Sequence, residues 1–357
     1  MKNLLKIIGY IFLILLVAFL CLLAYLMATD YKPKDIEEVA ISGKTDEKLK
    51  LDQDYKVLTW NIGYGGLDKD TDFFMDGGEM VNPISKDHVE DALAGISRQI
   101  KEIDPDLLLL QEVDSDSKRT YYINEVGYFD KDLGGGSSFA YNYKVNFVPF
   151  PIPPIGKVNS GIYTNSKLEI ESSYRYQQPI PHKWPVKLAN LKRAFNASYL
   201  PIEDSDKNLV LVNVHLDAYE SGSNGRLAQT KQIIAFITEE FNKGNFVLVG
   251  GDFNQELREG FEADIPEDLW NPSAFPYEYL TDNISVVFDE KVHTSRLNHK
   301  PYNPNDSYEC IIDGFLATDN IEIKKVEGQA SGFIHSDHNP VLLEFSLKEN
   351  KENREDK

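Results

Sequence analysis

Residues 107–112, Leu-Leu-Leu-Leu-Gln-Glu, predict a short apolar strand that is followed directly by two polar residues. Four consecutive leucines are typical of a strand that is buried on both faces. Residues 246–254, Phe-Val-Leu-Val-Gly-Gly-Asp-Phe-Asn, repeat the pattern with Asp252 and Asn254 at the strand end. Because a buried carboxylate without a partner is costly, Glu112 at such a position indicates a polar site beside the core.

The region between residues 55 and 347 contains many strands and few helices. Apolar or alternating patterns predict further strands at residues 55–61, 209–215, 310–316 and 341–345. Helical spacing of apolar residues predicts helices at residues 87–103 and 226–241. Buried strands are mixed with alternating ones, and a regular β-α alternation is absent. This pattern predicts an α/β (α+β) fold in which two mostly antiparallel sheets pack face to face with helices outside.

The composition restricts the class of protein. Of 357 residues, 37 are Lys or Arg and 57 are Asp or Glu, which gives a net charge of −20. Such a chain gains no general electrostatic affinity for nucleic acid or anionic lipid, although a local basic cleft is compatible with it. Two cysteines, one of them in the apolar N-terminal run, exclude a disulfide framework and a Cys-rich zinc site.

The N-terminus contains a membrane element. Lys2 and Lys6 precede an uncharged apolar run over residues 7–28, which as a helix is about 33 Å long and can span a bilayer core. A cleavable signal peptide is the rival interpretation, but its apolar region is shorter and ends in small residues. The sequence therefore predicts a single-pass anchor. The N-terminal lysines place the following domain outside the cytoplasm, although Lys32 and Lys34 weaken that orientation.

Four segments follow from these patterns. Residues 1–28 are the transmembrane anchor, and residues 29–54, charged and without a sustained apolar period, are predicted to be a tether. Residues 55–347 form the folded domain. Residues 348–357 are almost wholly charged or polar and are predicted to be a disordered tail.

Polar side chains recur where the apolar strands end or are interrupted. They are Asn61, Glu112, His215, Asp217, Asp252, Asn254, Asp313, Asp337 and His338. Any one of them alone is more often a turn former, a helix cap or a satisfied hydrogen bonder. Together they need a shared explanation, and carboxylate and amide oxygens suit Mg²⁺ or Mn²⁺. A histidine beside a carboxylate adds a general base or a cation for phosphate.

Six short motifs resemble the endonuclease/exonuclease/phosphatase superfamily, which includes deoxyribonucleases, apurinic endonucleases, sphingomyelinases and inositol-polyphosphate 5-phosphatases. They are Thr59-Trp60-Asn61-Ile62-Gly63, Gln111-Glu112-Val113, Asn213-Val214-His215-Leu216, Gly251-Asp252-Phe253-Asn254, Ile312-Asp313 and Ser336-Asp337-His338-Asn339-Pro340. They occur in the family order and extend over residues 55–347. The resemblance implies a four-layered α/β sandwich and Mg²⁺-dependent hydrolysis of phosphoesters.

The resemblance also implies roles for individual residues. Metal-ligand positions match Asn61, Glu112 and Asp337. Catalytic positions match His215, Asp252, Asn254, Asp313 and His338. His338, paired with Asp313, is placed at the attacking water or the scissile phosphate, Asp252 orients or deprotonates the water, and Asn254 and His215 contact phosphate oxygens. Asp217 is assigned a supporting place beside them.

Substrate-binding positions match Tyr163 and Arg193. Tyr163 follows the family-like strand Asn159-Ser160-Gly161-Ile162, where it is a candidate phosphate contact. Lys192-Arg193 resembles a basic pair that some members direct at substrate. A solvated strand face explains that pair equally well.

The substrate class stays open at this level. The acidic charge favours a small phosphorylated molecule or a lipid headgroup, and the anchor adds a hint toward lipid. Residues 149–154, Pro-Phe-Pro-Ile-Pro-Pro, with Phe147, either touch a bilayer, cap the site or form a rigid surface loop. An anchored nuclease, with nucleic acid as substrate, and an inactive member that binds a phosphorylated ligand are the alternatives. The sequence indicates no protein partner.

Overall fold

The computed structural model describes residues 1–219, 225–261, 265–266 and 269–348. Within these residues the α-helices are α1 (Lys2–Ala28), α2 (Lys86–Ile103), α3 (Glu125–Leu133) and α4 (Gly225–Asn242). The first nine strands are β1 (Ile36–Glu38), β2 (Ile41–Ser42), β3 (Asp54–Asn61), β4 (Leu107–Asp114), β5 (Gly136–Val148), β6 (Gly156–Ser166), β7 (Ser172–Gln177), β8 (Ala194–Pro201) and β9 (Asn208–His215). The others are β10 (Phe246–Asp252), β11 (Gln255–Glu256), β12 (Ser273–Ala274), β13 (Ile284–Val287), β14 (Ser295–Arg296), β15 (Glu309–Cys310), β16 (Asp313–Thr318), β17 (Ile321–Gly328) and β18 (Val341–Leu347).

Two seven-stranded sheets form the centre of the molecule. One has the order β1-β7-β8-β9-β10-β16-β13 and the other β17-β18-β3-β4-β6-β5-β2. Each contains one parallel pair, β9 with β10 and β3 with β4, and the remaining pairs are antiparallel. The prediction of two mostly antiparallel sheets packed face to face with helices outside is confirmed.

Strand β4 shows how the sequence builds the layers. Successive residues of a strand point to opposite faces. Leu107 and Leu109 therefore pack in the core between the two sheets, while Leu108 and Leu110 pack in the outer core against α2 and α3. A continuous apolar run is required because both faces of this strand are buried.

Helix α2 follows its apolar spacing. Val89, Leu93, Ile96 and Ile100 are all buried against the sheet. The Ser85 side chain accepts a hydrogen bond from the backbone N–H of His88 at 3.1 Å and caps the first turn. The helix stops at Asp104, which adopts a left-handed φ of 53° directly before Pro105.

The segment 29–54 differs from the predicted tether. Strand β1 pairs with β7, β2 pairs with β5, and Leu49 is fully buried in the core between the sheets. The segment lacks an apolar period because its strands are only two or three residues long and lie at sheet edges. Its docking is decided by contacts with residues far along the chain. Residues 349–357 of the predicted tail lie outside the described residues.

The predicted strand at residues 310–316 is interrupted. Its residues divide between β15 and β16, because the backbone N–H groups of Ile312 and Asp313 donate to the Thr294 hydroxyl, each at 3.0 Å, instead of to a strand. The Ile311 N–H donates to the Glu256 carboxylate at 3.3 Å. The break leaves Asp313 as the first residue of β16.

Helix α1 is long and apolar enough to cross a membrane by length and composition, a test that a signal sequence near an N-terminus also passes. Most of its side chains are exposed. Leu26 is buried, at 8% exposed, and Leu22 and Leu23 are partly buried. The C-terminal end of the helix packs against the short 3₁₀ helix Val186–Ala189.

A pair of buried amides joins the two sheets. The Gln111 amide donates to the Asn213 side-chain oxygen at 2.9 Å, and the Asn213 amide donates to the carbonyls of Leu110 at 3.1 Å and Tyr163 at 3.0 Å. Both side chains are fully buried. These bonds satisfy polar groups that the sandwich would otherwise bury without partners.

Asn213→Leu should therefore destabilise the fold by about 2–4 kcal/mol, because the carbonyls of Leu110 and Tyr163 each lose a donor and the Gln111 amide loses one acceptor in the interior. Urea unfolding of the detergent-solubilised chain measures this change in the free energy of unfolding. Asn305→Leu, at an exposed loop position, is the matched control and should leave stability unchanged. Equal stability of the two variants would contradict the importance of the amide pair.

Candidate active site

A cavity of about 550 Å³ opens at one end of the sandwich, and its base is polar. Strand pairing brings the base residues together. In the parallel pair β9 and β10, His215 lies beside Asp252, and in the antiparallel pair β10 and β16, Asp252 lies opposite Asp313. In the other sheet, the parallel pair β3 and β4 sets Asn61 beside Gln111, the residue before Glu112.

His338 is held by Asp313. Its Nδ1 lies 2.8 Å from Asp313 Oδ2, while its Nε2 faces Ser295 Oγ at 3.3 Å and Asp252 Oδ2 at 3.9 Å. Burial lowers the pKa of His338, but the charges of Asp313 and Asp252 outweigh burial and raise that pKa to about 10. The imidazole is therefore protonated at neutral pH, with Nδ1 fixed and Nε2 directed toward Asp252 at the cavity base.

Asp252 is surrounded by donors. Its Oδ2 accepts from the Asn61 amide at 3.0 Å, and its Oδ1 accepts from the backbone N–H of Asn254 at 2.8 Å. His215 Nε2 lies 3.4 Å from Oδ2. Burial, with the neighbouring Asp313 charge, raises the pKa of Asp252 to about 6. A carboxylate in this state is a stronger base than an exposed one.

His215 is kept neutral. Burial, followed by the charges of Arg193 and His338, lowers the pKa of this imidazole well below its ordinary value. Its Nε2 lies 3.8 Å from Glu112 Oε1 as well as near Asp252. A neutral imidazole with Nε2 facing two carboxylates donates a hydrogen bond from that nitrogen.

Glu112 and Asp337 place two acidic side chains at the base of the cavity. Glu112 lies where the register of β4 shifts between Leu110 and Val113, and it has a positive φ of 56°. Burial raises its pKa to about 7, and the Asp337 charge adds to the shift. The Asn298 amide donates to Asp337 Oδ2 at 2.5 Å. Gly63, at φ +50°, makes room for Asp337, because a Cβ there would lie 2.9 Å from its Oδ1.

Two arginines supply positive charge at the cavity wall. Arg119 donates to Asp114 through Nε and Nη2, each at 2.9 Å, and stacks 3.6 Å from the Tyr64 ring centre. Arg193 Nε lies 3.3 Å from Asp217 Oδ1. Both arginines line the cavity. Sequence reasoning missed Arg119, because it lies in a polar loop without a motif and only folding brings it back to the base.

The structure brings most of the predicted residues together. Those that line the cavity are Asn61, Glu112, Arg193, His215, Asp217, Asp252, Asn254, Asp337 and His338, and Asp313 lies behind His338. The Asn254 amide donates to the Leu216 carbonyl at 2.9 Å, which holds its side chain at the site.

The prediction that Tyr163 contacts substrate is wrong. Its side chain is fully buried in the core beneath the helices, and its hydroxyl donates to Asp130 Oδ1 at 2.9 Å. Alternation along β6 explains the placement: Ser160 lines the cavity, whereas Tyr163 pairs with Leu110 and faces the opposite side of the sheet.

The donors at the base fit a divalent cation. Asn61, Glu112 and Asp337 offer hard oxygens, and burial, which raises the pKa of Glu112 and Asp252, disfavours their charged forms unless a cation binds them. Asp252, Asp313 and His338 also present ligand atoms within 4.8 Å of one another. In that group, however, His338 Nδ1 already contacts Asp313 Oδ2 at 2.8 Å, so the oxygen-rich group is the better cation site.

Residues 58–338 match the family model of the Endonuclease/Exonuclease/phosphatase family. The chain belongs to this family. The family includes metal-dependent phosphoesterases and nucleases, and its enzymes act on phosphoester bonds with divalent metals. No curated protein sequence matches the chain.

Solved structures share the fold. An endonuclease/exonuclease/phosphatase from Beutenbergia cavernae DSM 12333 is 16% identical over 83% of this chain and 72% of its own, with a TM-score of 0.56. A family protein from Leptotrichia buccalis C-1013-b is 14% identical over 82% of this chain and 100% of its own, with a TM-score of 0.55. D. rerio TDP2, complexed with a single-strand DNA product, is 16% identical over 83% and 100%, with a TM-score of 0.50.

Mg²⁺ or Mn²⁺ should raise the stability of the protein, because a cation that binds the folded state neutralises the crowded carboxylates. At a hundred times its Kd, the ion should add about 2.7 kcal/mol to the free energy of unfolding. Thermal unfolding with added Mg²⁺ and with EDTA measures the shift. Glu112→Gln should reduce it, whereas Glu102→Gln, at an exposed position on α2, should not. An equal metal effect in both variants would exclude Glu112 as a ligand.

Proposed function

We propose that this chain hydrolyses a phosphate ester by attack of an activated water, with Mg²⁺ as the cofactor and Mn²⁺ as its substitute. A small phosphorylated molecule or a lipid headgroup is the favoured substrate. The supporting observation is the position of His338, whose Nδ1 lies 2.8 Å from Asp313 Oδ2 and whose Nε2 lies 3.9 Å from Asp252 Oδ2 at the base of a cavity. An imidazole beside a carboxylate can act with it as a general acid and a general base in phosphoester hydrolysis.

Each side chain has a role in this proposal. Asp252, whose pKa is raised to about 6, orients the attacking water and accepts its proton. His338 directs Nε2–H toward the phosphate and stabilises the charge that develops on its oxygens. His215 donates from Nε2 to a phosphate oxygen, and the Asn254 side chain holds another.

The charges around these residues complete the site. Asn61, Glu112 and Asp337 would hold the divalent cation, which when bound supplies Lewis-acid stabilisation of the phosphate charge. Arg193 and Arg119 line the wall and attract the anionic substrate. Their partners Asp217 and Asp114 keep the guanidinium groups in place.

Helix α1 is proposed to anchor the protein in a membrane as a single span, with the domain of residues 55–347 outside the cytoplasm. The most apolar 18 residues of the helix have a mean hydropathy of 3.1, and the helix lies near the N-terminus. Lys2 and Lys6 precede its apolar run, an arrangement that favours a cytoplasmic N-terminus.

An anchored nuclease is the second candidate. The observation that favours it is the similarity to D. rerio TDP2, whose structure contains a single-strand DNA product. The net charge of −20 opposes it, since a long polyanion is repelled unless divalent cations screen the field. Turnover of bis-p-nitrophenyl phosphate, a DNA oligonucleotide, sugar phosphates and phospholipids, with Mg²⁺ or EDTA, separates the candidates. No metal-dependent turnover of any of them would indicate an inactive binding protein.

His338→Ala should lower the turnover of bis-p-nitrophenyl phosphate by about 10²–10⁴-fold, because it removes the cation held next to the phosphate. Steady-state kinetics with Mg²⁺ measures the loss, and thermal unfolding checks that the variant is folded. His88→Ala is the matched control, since His88 is not among the residues that line the cavity. Ordinary rates in the His338 variant would remove this residue from the mechanism.

Glu112→Gln should raise the Mg²⁺ concentration needed for half-maximal turnover, because the amide loses the charge that binds the ion. The metal dependence of the rate measures this, and Glu102→Gln serves again as the control. A variant with lower turnover at every Mg²⁺ concentration, but with the same half-maximal value, would assign Glu112 to substrate instead of metal.

A further inference from the structure

The anchor helix is part of the active-site wall. Phe19, Leu22, Leu23 and Leu26 of α1 line the same cavity whose base holds Glu112 and His338. These four side chains lie on one face of the helix, since they are three, four and seven residues apart. Leu22 and Leu23 are partly covered, whereas the residues before Phe19 are exposed on every side. The cavity therefore continues from the polar base into an apolar channel along α1.

The end of the helix is fixed to the domain by charge. The Lys192 ammonium donates to the Asp30 carboxylate and to the Tyr31 carbonyl, directly after α1 ends. Both side chains of the ion pair are nearly buried, at 7% and 10% exposure. Tyr31 adds a hydrogen bond from its hydroxyl to Glu37 at 3.0 Å. The helix thus leaves the domain at a defined place, next to Arg193 in the cavity wall.

The channel is deep enough to enter a bilayer. From Leu26 to Phe19 the helix rises by about 10 Å, and half of a hydrocarbon core is about 15 Å thick. If α1 spans the membrane, the part of the channel beside these residues lies within one leaflet. An open apolar channel at that depth is accessible to lipid chains.

The rim of the channel is also apolar. Met75, Phe150 and Val186 line the cavity and are 49%, 68% and 57% exposed. Ile152 and Trp184 belong to the same loops as Phe150 and Val186 and are 93% and 57% exposed. Phe74 contacts Phe150 edge-on, with ring centres 6.2 Å apart, so two rim segments pack together. Exposed apolar side chains in such a cluster mark a membrane or partner surface.

The backbone and charges of the rim suit an interface. Four of the residues 149–154 are prolines, which have no N–H group to leave unsatisfied in lipid. The second rim loop contains Trp184 between the exposed Lys183 and Lys187. Tryptophan prefers the headgroup level, and lysines extend from it toward anionic lipid.

We propose that the substrate is a phospholipid of the same bilayer that holds α1, bound with its phosphate at the polar base and an acyl chain in the channel between α1 and the rim. This inference rests on the proposed phosphoesterase function and names its substrate class. The channel runs along the face of α1 that is proposed to lie in the bilayer. A lipid chain is therefore favoured as its occupant over an apolar segment of another protein.

The reaction on such a lipid balances without a further reactant. The water oxygen forms a bond to phosphorus as the bond from phosphorus to the leaving ester oxygen breaks. Asp252 takes one water proton, and the leaving oxygen takes the Nε2 proton of His338. Proton exchange with solvent restores both groups, and the apolar product stays in the leaflet.

The test uses the full chain in phosphatidylcholine vesicles that contain phosphatidic acid, phosphatidylglycerol and sphingomyelin, with Mg²⁺. Lipid products are measured by mass spectrometry, and bis-p-nitrophenyl phosphate is measured in parallel. Leu23→Trp should narrow the channel and lower the ratio of lipid to soluble turnover at least tenfold. Leu15→Trp, on an exposed part of α1 outside the cavity lining, is the matched control and should keep the wild-type ratio.

The outcomes separate the two proposals. Turnover of the soluble ester without cleavage of any vesicle lipid would overturn the lipid substrate and leave the phosphoesterase function standing. Equal ratios of lipid to soluble turnover in the Leu23→Trp and Leu15→Trp variants would also overturn the lipid proposal, because they would exclude the channel as the binding site of the acyl chain. No metal-dependent turnover of either substrate would overturn the phosphoesterase function itself.

A second measurement is independent of turnover. Brominated phosphatidylcholine in the vesicles should quench the fluorescence of Trp184, because the rim lies in the leaflet. Trp184→Phe should remove most of that quenching, since Trp60 is fully buried and Trp270 is only partly exposed, with its Nε1–H bonded to the Ala218 carbonyl. Equal quenching of the wild type and the variant would show that the rim does not touch the bilayer, and it would overturn the proposed orientation.

Discussion

The buried charge pair between His338 and Asp313 is the constraint on which the site depends. Two strand pairings place Asp252 next to both His215 and Asp313 in the interior. The carboxylates of the paired residues Asp252 and Asp313 repel each other, so the site needs a proton or a cation near them. The His338 imidazole contacts Asp313 through Nδ1 and faces Asp252 through Nε2, and the oxygens of Asn61, Glu112 and Asp337 are the proposed ligands of a cation. The same charge balance that stabilises the fold therefore prepares the site for an anionic phosphate.

Helix α1 contributes more than the proposed attachment to a membrane. Because Lys192 and Asp30 form a nearly buried ion pair, α1 is held against the mouth of the cavity instead of moving on a free tether. The helix then forms a wall of the site, and the proline-rich rim faces it. In a membrane, this arrangement would restrict the enzyme to substrates that approach within the leaflet, which would explain how an acidic domain selects its substrate without a basic surface.

The main layers of the fold could be predicted from the sequence because the spacing of apolar residues along a strand or helix can be read within that element alone. Strands β3, β4, β9, β10 and β18 were each indicated by their own residues, and α2 by its buried stripe. The family-like motifs also indicated most of the site, since polar residues at the ends of buried strands have few structural explanations. Tyr163 was misplaced because a motif gives the strand but not which face of it meets the cavity.

What the sequence determined by itself is the set of elements and the chemical character of the base: hard oxygens, two histidines and buried strands that end at them. The tertiary structure alone decided which groups meet. Arg119, the Lys192–Asp30 pair and the wall formed by α1 involve residues separated by long stretches of chain, and no local pattern encodes such distances. Packing of the two sheets fixes these contacts, because burial of both faces permits one register and therefore one arrangement of the strand ends.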